Sequence, residues 1–86
     1  MNIYLYIPVD KIIYRKKVSC IIPIDTMVYL EEDEFQTLCS EKFLSVHKVM
    51  YSLESRSCIS VAHPNCEWRI NNKDLADLLI RCGFTL

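Results

Sequence analysis

His63 and Cys66 stand three residues apart around Pro64 and Asn65, a spacing at which a short turn can point two ligands at one zinc ion. A structural zinc site needs four ligands, and the chain has no second Cys-x-x-Cys or His-x-x-x-His pair to supply the rest. Cys58, Cys82 or His47 would have to converge on the pair from elsewhere in the fold. His63 and Cys66 are therefore weak metal candidates, and the expectation is that the protein holds no metal and no other cofactor. A turn histidine followed by a half-buried strand cysteine explains the same residues.

A second chemistry open to these residue types is a thiolate–imidazole pair, formed by one of the five cysteines with His47 or His63 and oriented by a carboxylate. The sequence offers no glycine-rich loop to act as an oxyanion hole or a phosphate cradle, having a single glycine. A concave site would also consume much of the core of an 86-residue chain. The expectation is a protein that is not an enzyme, with no catalytic residues to assign.

A third is recognition by aromatic and charged side chains. Tyr4, Tyr6, Tyr14, Tyr29, Tyr51 and Trp68 fall on segments that read as extended, and Arg15-Lys16-Lys17 forms a basic cluster among them. Exposed rings beside basic groups can stack unpaired bases. Against that stand the formal net charge of -1 and the acidic run Glu31-Glu32-Asp33-Glu34, which repels phosphates. Opposed charge clusters and large aromatic side chains suit a protein surface better. Arg15, Lys16, Lys17, Glu31, Glu32, Glu34 and Trp68 are accordingly the candidate interaction residues. The simpler explanation of the two runs is a solvated turn and the acidic first turn of a helix.

These groups must be positioned by a small scaffold. The chain is 51% hydrophobic with three prolines, a composition that describes a packed domain and not a linker or tail. The length fits one domain over 1–86. Five cysteines is an odd number, and their spacing matches no disulfide framework. The first apolar run is broken by Pro8, Asp10 and Lys11 and follows no basic segment, so it reads neither as a signal peptide nor as a membrane span. Both points lead to an expected cytoplasmic protein with free thiols.

Periodicity supplies the elements. Ile3 to Ile7 reads as a strand buried on both faces and ended by Pro8; Lys11 to Tyr14 as a second; and, after a basic turn, Val18 to Ile22 as a third, with Val18, Cys20 and Ile22 on one face. Thr26 to Leu30 is extended. Phe35, Leu38 and Cys39 recur at helical spacing, predicting a helix over about 32–41. In Val46 to Leu53, His47, Val49, Tyr51 and Leu53 alternate with Val46, Lys48, Met50 and Ser52. A turn at Glu54-Ser55-Arg56 leads into a strand from Cys58 to Ala62, and a turn at His63-Pro64-Asn65 into another from Cys66 to Ile70. Leu75, Leu78, Leu79 and Cys82 follow the i, i+3, i+4, i+7 pattern of a helix over about 72–82, capped by Asn71 or Asn72 and closed by Gly83 and Phe84. The predicted fold is a small α+β domain, an antiparallel sheet of about five to six strands packed against two helices.

The expected function is that of a small intracellular protein-binding module that occludes or bridges a larger protein. Self-association into a homo-oligomer would use the same kind of surface. The abundance of Ile, Lys, Asn and Tyr suits an A/T-rich coding sequence, as in a virus- or phage-encoded inhibitor acting in the host cytoplasm. Two alternatives rank below it. One is a nucleic-acid-binding domain using sheet aromatics and the basic cluster at 15–17, and the other is a structural zinc-binding domain. No membrane partner is expected.

Overall fold

The computed structural model describes residues 1–9, 11–29, 43–64 and 72–86. In these, five strands and one helix follow one another as β1 (Asn2–Val9), β2 (Ile12–Lys17), β3 (Met27–Tyr29), β4 (Phe43–Ser52), β5 (Ser57–Pro64) and α1 (Asn72–Arg81). They form one small α+β domain. Its sheet has the order β2-β1-β5-β4-β3. β1 pairs antiparallel with β2 and parallel with β5, while β4 pairs antiparallel with both β5 and β3. The sheet is thus mixed, not antiparallel as the sequence predicts. Nothing in local periodicity reveals that the first and last described strands meet at its centre.

Burial alternates along β1. Leu5, Ile7 and Val9 are buried while Tyr4, Tyr6 and Pro8 are half-exposed, so β1 is covered fully on one face only. Pro8 does not end the strand; it pairs with Ile13. The β5 ladder reaches only Tyr6 opposite Val61, so a residue without an amide hydrogen sits beyond that pairing.

The core lies between α1 and the Leu5 face. Leu75, Leu78 and Leu79 of α1 are buried against Leu5, Ile7, Val9, Tyr14, Leu44, Val46 and Ala62. Each buried leucine contributes about 1.5–3 kcal/mol by removal from water. Lys73, Asp74, Asp77 and Arg81 are exposed, as one-sided amphipathicity requires. The helix ends in a Schellman arrangement: Gly83 at φ 94° donates to the Ile80 carbonyl at 3.1 Å, and Phe84 donates to Leu79 at 2.9 Å. Phe84 is then buried, and Thr85 exchanges backbone hydrogen bonds with Arg15 at the outer edge of β2. Of the two expected caps, Asn71 lies outside the described residues and Asn72 is the first residue of α1.

β2 and β3 occupy opposite edges of the sheet, so residues 18–26 must cross between them. They cross on the α1 side, where the Ser60 hydroxyl donates to the Ile22 carbonyl at 2.8 Å. Val18 and Ile22 pack on the core while Cys20 is exposed. The expected strand Val18 to Ile22 is therefore a crossing segment; its apolar residues cover the core instead of extending the ladder. It rejoins the sheet where Asp25 donates to Val46, and Val46 to Thr26.

Three further expectations are revised. The basic residues 15–17 belong to β2 and not to a turn. His63 and Pro64 belong to β5. The alternation of β4 breaks at a bulge between Val46 and Lys48, which places Val49 on the Val46 face and leaves His47 and Lys48 together on the other. The expected helix at 32–41 and strand Cys66 to Ile70 lie outside the described residues, among which α1 is the only helix.

Candidate functional site

With α1 and residues 18–26 on one side of the sheet, none of the described elements lies over the other side. The registers arrange that open face in rows. Lys17, Tyr4, Ile59 and Met50 stand side by side across β2, β1, β5 and β4, and the adjacent row is Arg15, Tyr6, Val61 and Lys48. The inner positions of both rows, on β1 and β5, are apolar or aromatic. The rings of Tyr4 and Tyr6 lie 6.3 Å apart and tilted by 56°. Towards the edges, Ile13 is 51% exposed, Met50 40% and Met27 63%. The charged side chains that the strands place on this face, Arg15, Lys17 and Lys48, are all basic.

The basic cluster is split by the two-residue strand period. Arg15 and Lys17 flank the tyrosines on the open face. Lys16 points to the opposite side, where its Nζ donates to the Cys82 carbonyl at 2.9 Å and sits 5.7 Å from the centre of the Phe84 ring. A cation there complements the negative end of α1. Lys16 is thus a helix-capping residue, and Arg15 and Lys17 are surface residues. Glu31, Glu32, Glu34 and Trp68 lie outside the described residues.

The open face also carries the two histidines. The bulge in β4 puts His47 beside His63, with ring centroids 4.2 Å apart and planes 24° from parallel. His47 donates to the Val61 carbonyl, yet its pKa is held below the ordinary value, first by desolvation and then by the charges of His63 and Lys48. His63 is half-buried, and its Nδ1 is enclosed without a hydrogen bond.

The sequence singles out His63 as a metal candidate, and His47 does converge on it. Imidazoles stacked this nearly parallel direct their lone pairs along separate planes, so one ring must turn before both could bind a single ion. Among the described residues no three His, Cys, Asp or Glu side chains gather as a metal cluster. Cys66 lies outside them. Cys58 does not pair with either imidazole: it is buried on the α1 side of β5, whereas His63 faces the other way. Cys58 instead meets the Tyr51 hydroxyl. The charge of Cys58 raises the Tyr51 pKa, and their hydrogen bond adds to the effect. Cys20 and Cys58 are not in disulfides.

Sequence reasoning missed Ile13, Lys48, Met50, Ile59 and Val61 as parts of this surface. The alternation of Tyr4 and Tyr6 with Leu5 and Ile7 signals a second, less buried face of β1. Which residues stand beside the tyrosines depends on the parallel pairing with β5, and no local pattern carries that. None of the described helices is long and apolar enough to cross a membrane. Comparison with models of protein families, with curated proteins and with solved structures finds no match to this chain.

Proposed function

We propose that the protein is a small protein-binding module that occludes a partner through the open face of its sheet, not by catalysis. The observation that carries this reading is the pairing, on one face, of exposed aliphatic side chains with charge that is exclusively basic among the strand residues described. Ile13 beside Pro8 and Met50 beside Ile59 extend the patch of Tyr4, Tyr6 and Ile59, Met27 stands apart on the edge strand β3, and Arg15, Lys17 and Lys48 supply the polar rim. A contiguous apolar area rimmed by charge marks an interaction surface, and Tyr and Met are enriched in such contacts. An inhibitor that a virus or phage directs at a host protein in the cytoplasm would work in this way, and so would a homo-oligomer.

One observation favours a nucleic-acid reading in second place: Arg15 stands across from Tyr6 and Lys17 across from Tyr4. A stacking platform, however, needs flat exposed rings. Here the two rings are tilted against each other and half-exposed, and the exposed apolar groups beside them are aliphatic and stack poorly.

Two variant sets separate the readings in pull-downs from cell lysate and in binding to single-stranded oligonucleotides. For a protein partner, Ile13→Asp with Met50→Asp and Arg15→Glu with Lys17→Glu both weaken the retained complex. For nucleic acid, the basic set dominates and binding falls steeply with salt. Sub-micromolar oligonucleotide binding in moderate salt, lost with the basic set alone, would replace the protein-binding reading.

A further inference from the structure

Resting on that reading, we infer that the partner segment the open face accepts is an amphipathic helix with acidic flanks, lying along β1 and β5. The width of the face and its charge both fit such a helix. The apolar floor is two strands wide: half-exposed Tyr4 and Tyr6 on β1 and half-exposed Ile59 on β5, with Val61 nearly buried between its neighbours at 9% exposure. Arg15 borders it on β2 and Lys48 on β4, in one row across the sheet. Neighbouring strands are about 4.8 Å apart, so these two residues are rooted about 14 Å from each other. An α-helix with its side chains is about 10–12 Å across and fits between them. Its apolar stripe would rest on the floor, and carboxylates on its two flanks would meet Arg15 and Lys17 on one side and Lys48 on the other. This is recognition by an apolar helix stripe, with anchors at i, i+3, i+4 and i+7. An added β-strand would instead use a sheet edge, and β2 has its outer edge paired to Thr85 at Arg15. The stacked imidazoles of His47 and His63 sit beside Lys48 on the same face, so the helix is expected to run past them.

The test is selection of binders from a displayed library of random 16-residue peptides against the full chain. A variant with Arg15→Glu and Lys48→Glu serves as the counter-target, after circular dichroism has shown it folded. Glu31→Gln, Glu32→Gln and Glu34→Gln together control for the chain's own carboxylates. The expected peptides carry apolar residues at helical spacing flanked by Asp or Glu, become helical when bound, and lose at least about tenfold in affinity against the counter-target. Asp77→Lys, on the exposed side of α1, leaves that affinity unchanged. Enrichment of peptides with strict two-residue alternation, enrichment of basic peptides, or no binders overturns the inference. So does a homodimer, or oligonucleotide binding, with the same dependence on Arg15 and Lys48. Photo-crosslinking from positions 13 and 50 in lysate tells the two levels apart. If it still captures a protein when no helical peptide is selected, the helix assignment falls alone; if it captures none, the docking reading falls with it.

Discussion

The imidazole of His47 lies over that of His63 at 4.2 Å, and the two meet because β4 carries an extra residue opposite Val61. In a regular strand, His47 and Lys48 would point to opposite sides. The bulge puts both beside His63, on the open face of the sheet. His47 therefore shares its site with a second imidazole and a neighbouring ammonium, and adding a proton to His47 is disfavoured.

That arrangement sets a pH dependence. The folded-state pKa of His47 is below its ordinary value of about 6.5, so the unfolded chain binds protons first as pH falls. Stability should be full above about pH 6.5 and decline as the solution is acidified below it. Urea denaturation at pH 7.5 and 5.5, on the wild type and on His47→Asn, checks this. The variant should lose less stability between the two pH values; an equal loss in both proteins would mean that His47 does not contribute.

Leu78 and Leu79 are both fully buried under the sheet. Leu78→Ala or Leu79→Ala should each destabilise the fold by about 2–5 kcal/mol through lost burial and a residual cavity. Asp77→Ala, on the exposed side of the same helix, should stay within about 0.5 kcal/mol of wild type. Chemical denaturation of the three variants reads the contrast directly.

α1 was legible in the sequence because its signal is local. Leu75, Leu78 and Leu79 mark one helical stripe, and Gly83 marks its end. The basic triplet was legible as a cluster but not as two functions, since that division requires knowing that Tyr14 faces the core and Arg15 does not. The open face was the least legible part. It is assembled from β1, β2, β4 and β5, and its central contact joins Tyr6 to Val61 through a parallel pairing between strands far apart in the chain. A bulge is equally silent, because one residue inserted at His47 reverses the facing of everything after it.

The split of the triplet gives a further prediction. Lys16→Glu should lower stability by about 0.5–1 kcal/mol, since it removes a cation from the C-terminal end of α1. Arg15→Glu and Lys17→Glu should leave stability nearly unchanged and act on binding. Gly83→Ala should cost about 1 kcal/mol because of its positive φ. Space is not the reason, as an added Cβ would meet Lys16 only at an ordinary 3.6 Å. Thermal melts of the four variants rank these effects, and equal losses for Lys16→Glu and Lys17→Glu would contradict the assignment.

Thiol reactivity follows from burial. Cys20 is exposed, Cys82 half-buried and Cys58 fully buried, so alkylation of the native protein should label Cys20 first and Cys58 last. Under denaturing, non-reducing conditions all five cysteines should be labelled. Intact mass with peptide mapping gives the order and the total. A shortfall would reveal an oxidised or cross-linked thiol.

The claim that the open face is the working surface is tested most directly by site-specific photo-crosslinking. A photoreactive amino acid is placed singly at Ile13 or Met50 on the open face and at Asp77 or Ile80 on the outer side of α1, all exposed positions. In cells or lysate, positions 13 and 50 should yield a discrete crosslinked protein that disappears with Arg15→Glu and Lys17→Glu, while positions 77 and 80 yield none. Crosslinks to a specific protein from positions 77 and 80, with none from 13 and 50, would contradict the account.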